Sequence, residues 1–226
     1  MKLCHSDMIL KIAEDISSDA KYWTDKIKKE IGLDISYDDA SILRQTYRIL
    51  KMMPCNLIRD CGIRTLSFRS DMGPNRPYYP NHGYYGQNAV TLNADIFHHP
   101  DMPDDFVDGK GYFITRPEQT LIHEFAHGYD EFQGNLSLKN DWLNLSGWSE
   151  NHRPGLKRLI IREPGVPEVV GEWFYNPEAG FTRFYAKKNP WDDWADSFAF
   201  YVAGMKDKVP ENKTEYFDNL LKKYYA

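Results

Sequence analysis

Two histidines four residues apart, His123 and His127, flank Glu124 in the stretch TLIHEFAHGYDEF. On a helix, residues i and i+4 lie one above the other, so both imidazoles can reach a single cation. Glu124 is turned by about 100° from His123, because a helix has about 3.6 residues per turn. There it can take a proton from a water molecule that the metal activates. The spacing indicates a metal site with an adjacent general base; two surface histidines that share this spacing are the alternative.

Helix signals lie on both sides of this stretch. Thr115 and Glu118 have the spacing of a capping box, Pro117 lies in the first turn, and Gly134 lies past the end. The apolar stripe expected to be buried consists of Leu121, Ile122, Phe125, Ala126 and Tyr129. The histidines are therefore predicted to lie on one helix that begins at Thr115 and ends near Gly134, on a face beside the buried stripe.

A third metal ligand has to come from elsewhere in the chain. A histidine or aspartate ten residues after His123 is ruled out, because that position is Gln133. The stretch KNPWDDWADSFAFYVAG predicts a second helix, over about 191–203, on which Asp192 and Asp196 share one side. Two carboxylates so close repel each other unless donors or cations lie opposite them. A metal ion at Asp192 and an imidazole N–H at Asp196 would satisfy both, whereas a solvated acidic helix start is the alternative.

The two helices together resemble those of the gluzincin zinc metallopeptidases, in which HExxH is followed by ExxxE or ExxxD. The closer similarity is to the catalytic domain of anthrax lethal factor and the related Pro-Pro endopeptidases. HEFAHGYDEF is similar to their HEFGH-type helix, and WDDWADSFAFY is similar to their EFFAEAF-type helix. The resemblance covers roughly residues 84–204 and leaves residues 1–60 unexplained. It implies an α+β, zincin-like fold: a small mixed sheet with its edge strand over the HExxH helix, a mostly helical C-terminal part, and preceding N-terminal helices.

The resemblance also implies roles for individual residues. One Zn²⁺ per chain would be bound by His123, His127 and Asp192. Asp196 would accept a hydrogen bond from a ligating imidazole, and Glu124 would be the general base. Tyr185, seven residues before Asp192, stands where the family has a catalytic tyrosine that donates to the oxyanion.

This chain departs from the family at the third ligand. The family has glutamate where this chain has Asp192, and aspartate is one methylene shorter. Either the second helix lies closer to the metal, or Asp193, turned by about 100°, takes the role instead. We expect Asp192, because only that choice keeps an acid one turn later, at Asp196.

The rest of the chain predicts the elements that position these helices. The patterns indicate helices over 7–31 and 38–53, strands over 63–70 and 88–97 with a Gly/Pro/Asn/Tyr loop over 70–87 between them, and a final helix over 211–225. We expect a single domain over 1–226, with an N-terminal helical portion over 1–60 and a zinc metallopeptidase core over 61–226.

The strand NAVTLNADIF, residues 88–97, resembles the edge strand with which such peptidases pair an extended substrate. Tyr85, Thr91 and Asn93 lie on this strand or beside it, and they are therefore predicted to bind substrate.

Composition narrows the range of partners. The net charge is -5 with both signs mixed along the chain, so no nucleic-acid footprint or polybasic membrane patch is expected. No run of about 18 apolar residues occurs, so no membrane span is expected. The N-terminus carries no Sec-type signal, which predicts a cytoplasmic protein or one exported by another route. We expect a monomer that acts on a peptide or protein substrate.

The predicted function is a zinc-dependent endopeptidase with Glu124 as general base. Two alternatives stay open: a catalytically weak or inactive zinc-binding docking module, and a metal-dependent hydrolase of a non-peptide bond. Glu124 and Tyr185 argue against the docking module, because docking needs neither residue. The predicted edge strand and an aromatic content of 15% favour a peptide substrate.

Overall fold

The computed structural model describes residues 19–70, 82–98, 115–161 and 169–225. The helices are α1 (Ala20–Glu30), α2 (Ala40–Leu50), α3 (Cys55–Asp60), α4 (Asp95–His98), α5 (Arg116–Phe132), α6 (Asn140–Ser146), α7 (Pro190–Val202) and α8 (Glu211–Tyr225). The strands are β1 (Asp34–Ile35), β2 (Thr65–Arg69), β3 (Gly83–Gly86), β4 (Ala89–Asn93), β5 (Lys157–Ile161) and β6 (Val169–Tyr175). Short 3₁₀ turns lie at Leu136–Leu138, Tyr185–Lys187 and Lys206–Lys208. None of the helices in the described ranges is long and apolar enough to cross a membrane.

The larger sheet has the strand order β1-β2-β4-β3. Strands β1, β2 and β4 are parallel, whereas β3 runs antiparallel to β4. The prediction that NAVTLNADIF forms the edge strand is wrong, because β4 has a hydrogen-bonded strand on each side. The two edge strands of this sheet are β1 and β3. Strand β3 lies in a stretch predicted to be a loop, since GYYG has no alternation of polar and apolar residues to mark a strand. Helices combined with a small mixed sheet confirm the α+β class.

The predicted strand over 88–97 is shorter in the structure than in the sequence pattern. It ends at Asn93, whose Oδ1 accepts the N–H of Asp95 at 3.0 Å and so begins α4. Ala94 and Ile96, at the end of the predicted range, are buried with 2% and 4% exposure, but they lie beyond the strand. A side chain that hydrogen-bonds the backbone two residues on offers the chain an alternative to strand pairing.

The described N-terminal helices α1 and α2 lie within their predicted ranges of 7–31 and 38–53, and one further helix, α3, follows them. Side chains of Asp19 and Asp39 accept backbone N–H groups at the starts of α1 and α2, as helix N-caps do. The part of the predicted 7–31 helix that precedes residue 19 lies outside the described residues. Pro54 lies beyond α2 and precedes α3, a helix that the sequence pattern did not indicate.

Helices α5 and α7 cross the centre of the main core. Its buried residues extend from Trp23 in α1 to Tyr224 in α8. Trp194 of α7 stacks on Tyr129 of α5, with ring centroids 6.0 Å apart and planes 9° from parallel. A smaller buried cluster, Trp148, Trp173 and Tyr175, packs the β5–β6 hairpin against the start of α7. Both site helices are therefore held by packing on several sides.

Gly128 permits the close approach of α5 to the chain after α3. A Cβ at this position would lie 2.6 Å from the backbone oxygen of Cys61 and 2.9 Å from the Ile63 side chain. We expect Gly128→Ala to lower the free energy of unfolding by about 1–3 kcal/mol, the usual cost of overpacking. The melting temperature in thermal unfolding should then be lower by roughly 2–4 °C for each kcal/mol of lost stability. An unchanged melting temperature would show that the backbone at Cys61 moves away from the new methyl group without loss of stability.

Candidate metal centre

The helix that carries the histidines begins as the sequence predicts. The Thr115 hydroxyl accepts the N–H of Glu118, and the Glu118 carboxylate accepts the N–H of Thr115 at 2.7 Å. Pro117 occupies the first turn, and Gly134, with φ +85°, follows the end of the helix. The predicted stripe is buried, with at most 1% exposure for Leu121, Ile122, Phe125, Ala126 and Tyr129. Because that stripe faces the core, His123 and His127 are presented on the neighbouring face.

His123, His127 and Asp192 bring three potential ligand atoms together. The two Nε2 atoms are 3.1 Å apart, and Asp192 Oδ1 lies 3.6 Å from that of His123 and 3.7 Å from that of His127. Three ligands of a tetrahedral ion with bonds of about 2.0–2.1 Å are separated by about 3.3 Å. The three atoms therefore have the spacing of a site that could hold a metal ion.

Asp196 orients the first imidazole. Its Oδ1 lies 2.7 Å from His123 Nδ1, and the carboxylate is fully buried. Because the carboxylate is the acceptor, Nδ1 carries the proton, and the lone pair of Nε2 is directed to the other ligands. Burial lowers the pKa of His123, but Asp196 and Asp192 outweigh it and raise this pKa to about 10. Metal binding and protonation of His123 therefore compete.

Arg183 neutralises Asp196. Its Nε and Nη2 lie 2.7 Å from the two carboxylate oxygens, which is a bidentate pair. Gln119 Nε2 donates to Asp196 Oδ1 at 3.1 Å. Burial raises the pKa of Asp196, but Arg183 and His123 outweigh that effect and lower it, so the carboxylate stays ionised.

The two oxygens of Asp192 have different partners. Oδ2 accepts a hydrogen bond of 2.6 Å from Asn189 Nδ2 and lies 3.1 Å from Lys188 Nζ. Oδ1 faces the two imidazoles. Asn189 also caps α7, since its side-chain oxygen accepts the backbone N–H of Asp192 at 2.7 Å. Burial raises the pKa of Asp192, but the two histidines and Lys188 hold it well below its usual range.

Asp193, the alternative third ligand predicted from the sequence, has different partners from Asp192. Its Oδ1 lies 2.6 Å from Lys213 Nζ, and both side chains are fully buried. Its Oδ2 accepts hydrogen bonds from Ser146 Oγ at 2.9 Å and Trp148 Nε1 at 3.0 Å. Lys213 also donates to Gly180 O at 2.9 Å. Of the two adjacent aspartates, Asp192 is the one whose carboxylate oxygen lies near the two imidazole nitrogens.

Glu124 lies beside the three potential ligands and beneath β3. It is 7% exposed, and burial raises the pKa of its carboxyl above the usual range. A Cβ at Gly83 would lie 2.8 Å from both Cγ and Oε1 of Glu124. The edge strand therefore passes directly over the side chain that the sequence predicts as general base.

Tyr185 lies at the same site, in a 3₁₀ turn that precedes α7. Its ring centroid is 6.2 Å from that of His123. Its hydroxyl accepts a hydrogen bond from Lys188 Nζ at 3.0 Å, and Arg183 lies over its ring at 5.0 Å. Burial raises the pKa of Tyr185, so the phenol keeps its proton at neutral pH.

The three predicted substrate-binding residues lie apart from the metal centre. Thr91 Oγ1 contacts Ser67 Oγ at 2.9 Å, and it alternates with the buried Val90 and Leu92, so it faces away from α5. Asn93 shares that face and begins α4. Tyr85 packs against the main core, and burial together with Glu131 raises its pKa to about 12. The structure therefore places none of the three beside the potential metal ligands.

Sequence reasoning missed three polar side chains at this site. Gln119 is four residues before His123 on the same helix, so helical spacing could have indicated it. Arg183 and Lys188 lie in an irregular segment without periodicity, and no sequence signal marked either one.

No protein-family model matches the chain, and no curated protein matches it in sequence. Any assignment of function therefore depends on the geometry of this site.

Proposed function

We propose that the protein is a zinc-dependent endopeptidase of the gluzincin type with a zincin-like fold. One observation carries the proposal: His123, His127 and Asp192 present three potential ligand atoms 3.1–3.7 Å apart, next to a buried glutamate on the same helix as the histidines. The arrangement of β3 and α5 supports it, because an antiparallel edge strand crosses above that glutamate.

Each residue then has a chemical task. Zinc bound by His123, His127 and Asp192 would supply a Lewis acid that acidifies water and polarises a peptide carbonyl. Glu124 accepts the proton of the attacking water and returns it to the leaving amine. Its raised pKa suits both steps, because a base that must later act as an acid works best near the operating pH. Tyr185 donates its phenolic proton in a hydrogen bond to the developing oxyanion.

The edge strand favours a peptide as substrate. The pairing partner of β3 is β4, and among the described strands none pairs with its other edge. An extended peptide can add to such an edge through main-chain hydrogen bonds. Because β3 passes over Glu124, a peptide paired there would have its backbone beside the general base.

The proposal is tested by metal content and cleavage together. Purified protein should hold about one zinc per chain, cleave a denatured-protein or peptide library, lose activity with a chelator and regain it with zinc. Absence of zinc binding would contradict the site. Zinc binding without cleavage would instead favour a docking module, and cleavage restricted to non-peptide esters or amides would favour the other hydrolase.

Gly83→Ala should reduce activity without removing metal. A Cβ there would lie 2.8 Å from Glu124 Cγ and 2.9 Å from Thr120 Cγ2, so the carboxylate must move. A misplacement of about 1 Å can cost about 100-fold in rate. The measurement is kcat/KM at full zinc loading.

The matched control is Gly86→Ala at the other end of β3. Its Cβ would meet the side chain of Tyr84, which is 64% exposed and can turn away. Equal losses in both variants would mean that the strand itself is disturbed, and full activity of Gly83→Ala would remove the close contact from the mechanism.

A further inference from the structure

Lys188 lies between two parts of the candidate metal centre. Its Nζ donates to Tyr185 Oη at 3.0 Å and lies 3.1 Å from Asp192 Oδ2. The same atom lies 4.9 Å from the centroid of the Tyr185 ring. One ammonium group thus contacts both the third potential ligand and the proposed oxyanion donor.

The bond to Tyr185 has a defined direction. An ammonium group has three donors and no lone pair, so the phenol oxygen must be its acceptor. The phenol's own proton is therefore not used in this bond. A positive group at 3.0 Å also makes the O–H a stronger donor to a developing negative charge.

The contact between Lys188 and Asp192 restricts the orientation of the aspartate, which is shorter than the glutamate of the family that the chain resembles. A carboxylate with two equivalent oxygens can rotate and present either one. Here Oδ2 is held by Lys188 and Asn189, and Oδ1 is left facing the two imidazoles. Groups that hydrogen-bond to a ligating carboxylate typically contribute about 10–100-fold to metal affinity or activity.

The main chain of Lys188 is itself held in place. Its N–H donates to Tyr185 O at 3.0 Å, which closes the 3₁₀ turn. Strand β6 passes so close that a Cβ at Gly171 would lie 3.1 Å from Lys188 O. A backbone fixed on both sides lets a long side chain bridge two groups with little further loss of freedom.

We propose that Lys188 is a positioning residue that joins Tyr185 to Asp192, so that metal retention and stabilisation of the oxyanion depend on one ammonium group. The effect of Lys188 on the oxyanion, through Tyr185, rests on the proposed function. Its effect on metal retention depends only on the contacts of Asp192.

Lys188→Met tests the bridge, because methionine keeps an unbranched stem of similar length and removes the charge. We expect zinc transfer to a chromogenic chelator to be about 10–100-fold faster. We also expect kcat to fall by about 10²–10³-fold, as for loss of an oxyanion donor. KM should stay near the wild-type value, since Lys188 contacts site residues and no role in binding substrate is assigned to it. Lys188→Arg, which can donate to both partners, should restore much of both properties.

The matched control is Lys187→Met, in the same turn. Lys187 lies over the rings of Phe181 and Phe184 at 5.9 and 5.4 Å and should change neither property when replaced. Lys188→Met that matches this control in zinc release or in kcat would overturn the bridge, because the bridge requires both effects. Wild-type protein that binds zinc but cleaves no peptide would contradict the proposed function alone. The rate of zinc release from Lys188→Met would still test whether the contact between Lys188 and Asp192 helps to retain the metal.

Discussion

Glu124→Gln is expected to hold zinc as the wild type does and to lose nearly all peptide cleavage. Glutamine keeps the size of the side chain but cannot accept and return the proton of the attacking water. General acid–base catalysis contributes about 10²–10⁴-fold, so kcat should fall within that range. Zinc content should be unchanged, because Glu124 is absent from the group of potential ligand atoms. The measurements are metal content and kcat on one peptide substrate at full zinc loading.

Glu131→Gln is the matched control, since Glu131 lies two turns later on α5 and is exposed. Its replacement should leave cleavage unchanged. If Glu124→Gln lost zinc as well as activity, the glutamate would be a ligand. If it kept full activity, the proton transfer would belong to another group.

Asp192→Ala and Asp193→Ala are expected to affect different properties, zinc affinity and stability respectively, although the residues are adjacent. Asp192→Ala removes one of the three potential ligand atoms, so zinc affinity should fall by more than the roughly 10–100-fold typical of an outer partner. Asp193→Ala leaves the ammonium of Lys213 buried without its carboxylate, which costs about 3–5 kcal/mol. At roughly 2–4 °C per kcal/mol, the melting temperature should fall by roughly 6–20 °C. Zinc titration and thermal unfolding of both variants make the comparison.

The double variant Asp193→Ala/Lys213→Met keeps this comparison possible if Asp193→Ala folds poorly. It removes the unpaired charge and should recover part of the lost stability. Folded protein of either Asp193 variant should lose far less zinc affinity than Asp192→Ala, because all three potential ligand atoms remain. Loss of zinc affinity in the double variant with normal affinity in Asp192→Ala would reassign the third ligand.

The site helices were predictable because their signals are local. The capping box of Thr115 and Glu118 and the spacing of His123 and His127 lie within one helix, and the structure reproduces both. A short-range pattern specifies which side chains share a face, and packing of the apolar stripe then decides which face is exposed. The spacing of Asp192 and Asp196, one turn apart on the second helix, is also a local signal, and it predicts that Asp192 faces the histidines.

The parts that sequence reasoning missed depend on distant contacts. Strand β3 exists through its pairing with β4, and nothing in GYYG itself distinguishes a strand from a loop. Lys213, fully buried, looks from sequence like one more cation on an amphipathic helix. Contacts of this kind require the assembled structure. Lys188 is the exception, because its partners Tyr185 and Asp192 lie only three and four residues away in the chain. The segment between them is not one continuous helix, so no periodicity predicts that these side chains meet.

The buried pair of Asp193 and Lys213 holds one face of α7 and so restrains the rotation of the helix about its own axis. Adjacent helical residues differ by about 100° in direction, so a helix turned to improve one carboxylate displaces the other. Because Lys213, Ser146 and Trp148 hold Asp193, the neighbouring Asp192 has little freedom to change direction. The direction of the third potential ligand is thus restrained by contacts on an adjacent face of the helix, and substitutions among those contacts would change the angles between the potential ligand atoms without contacting them.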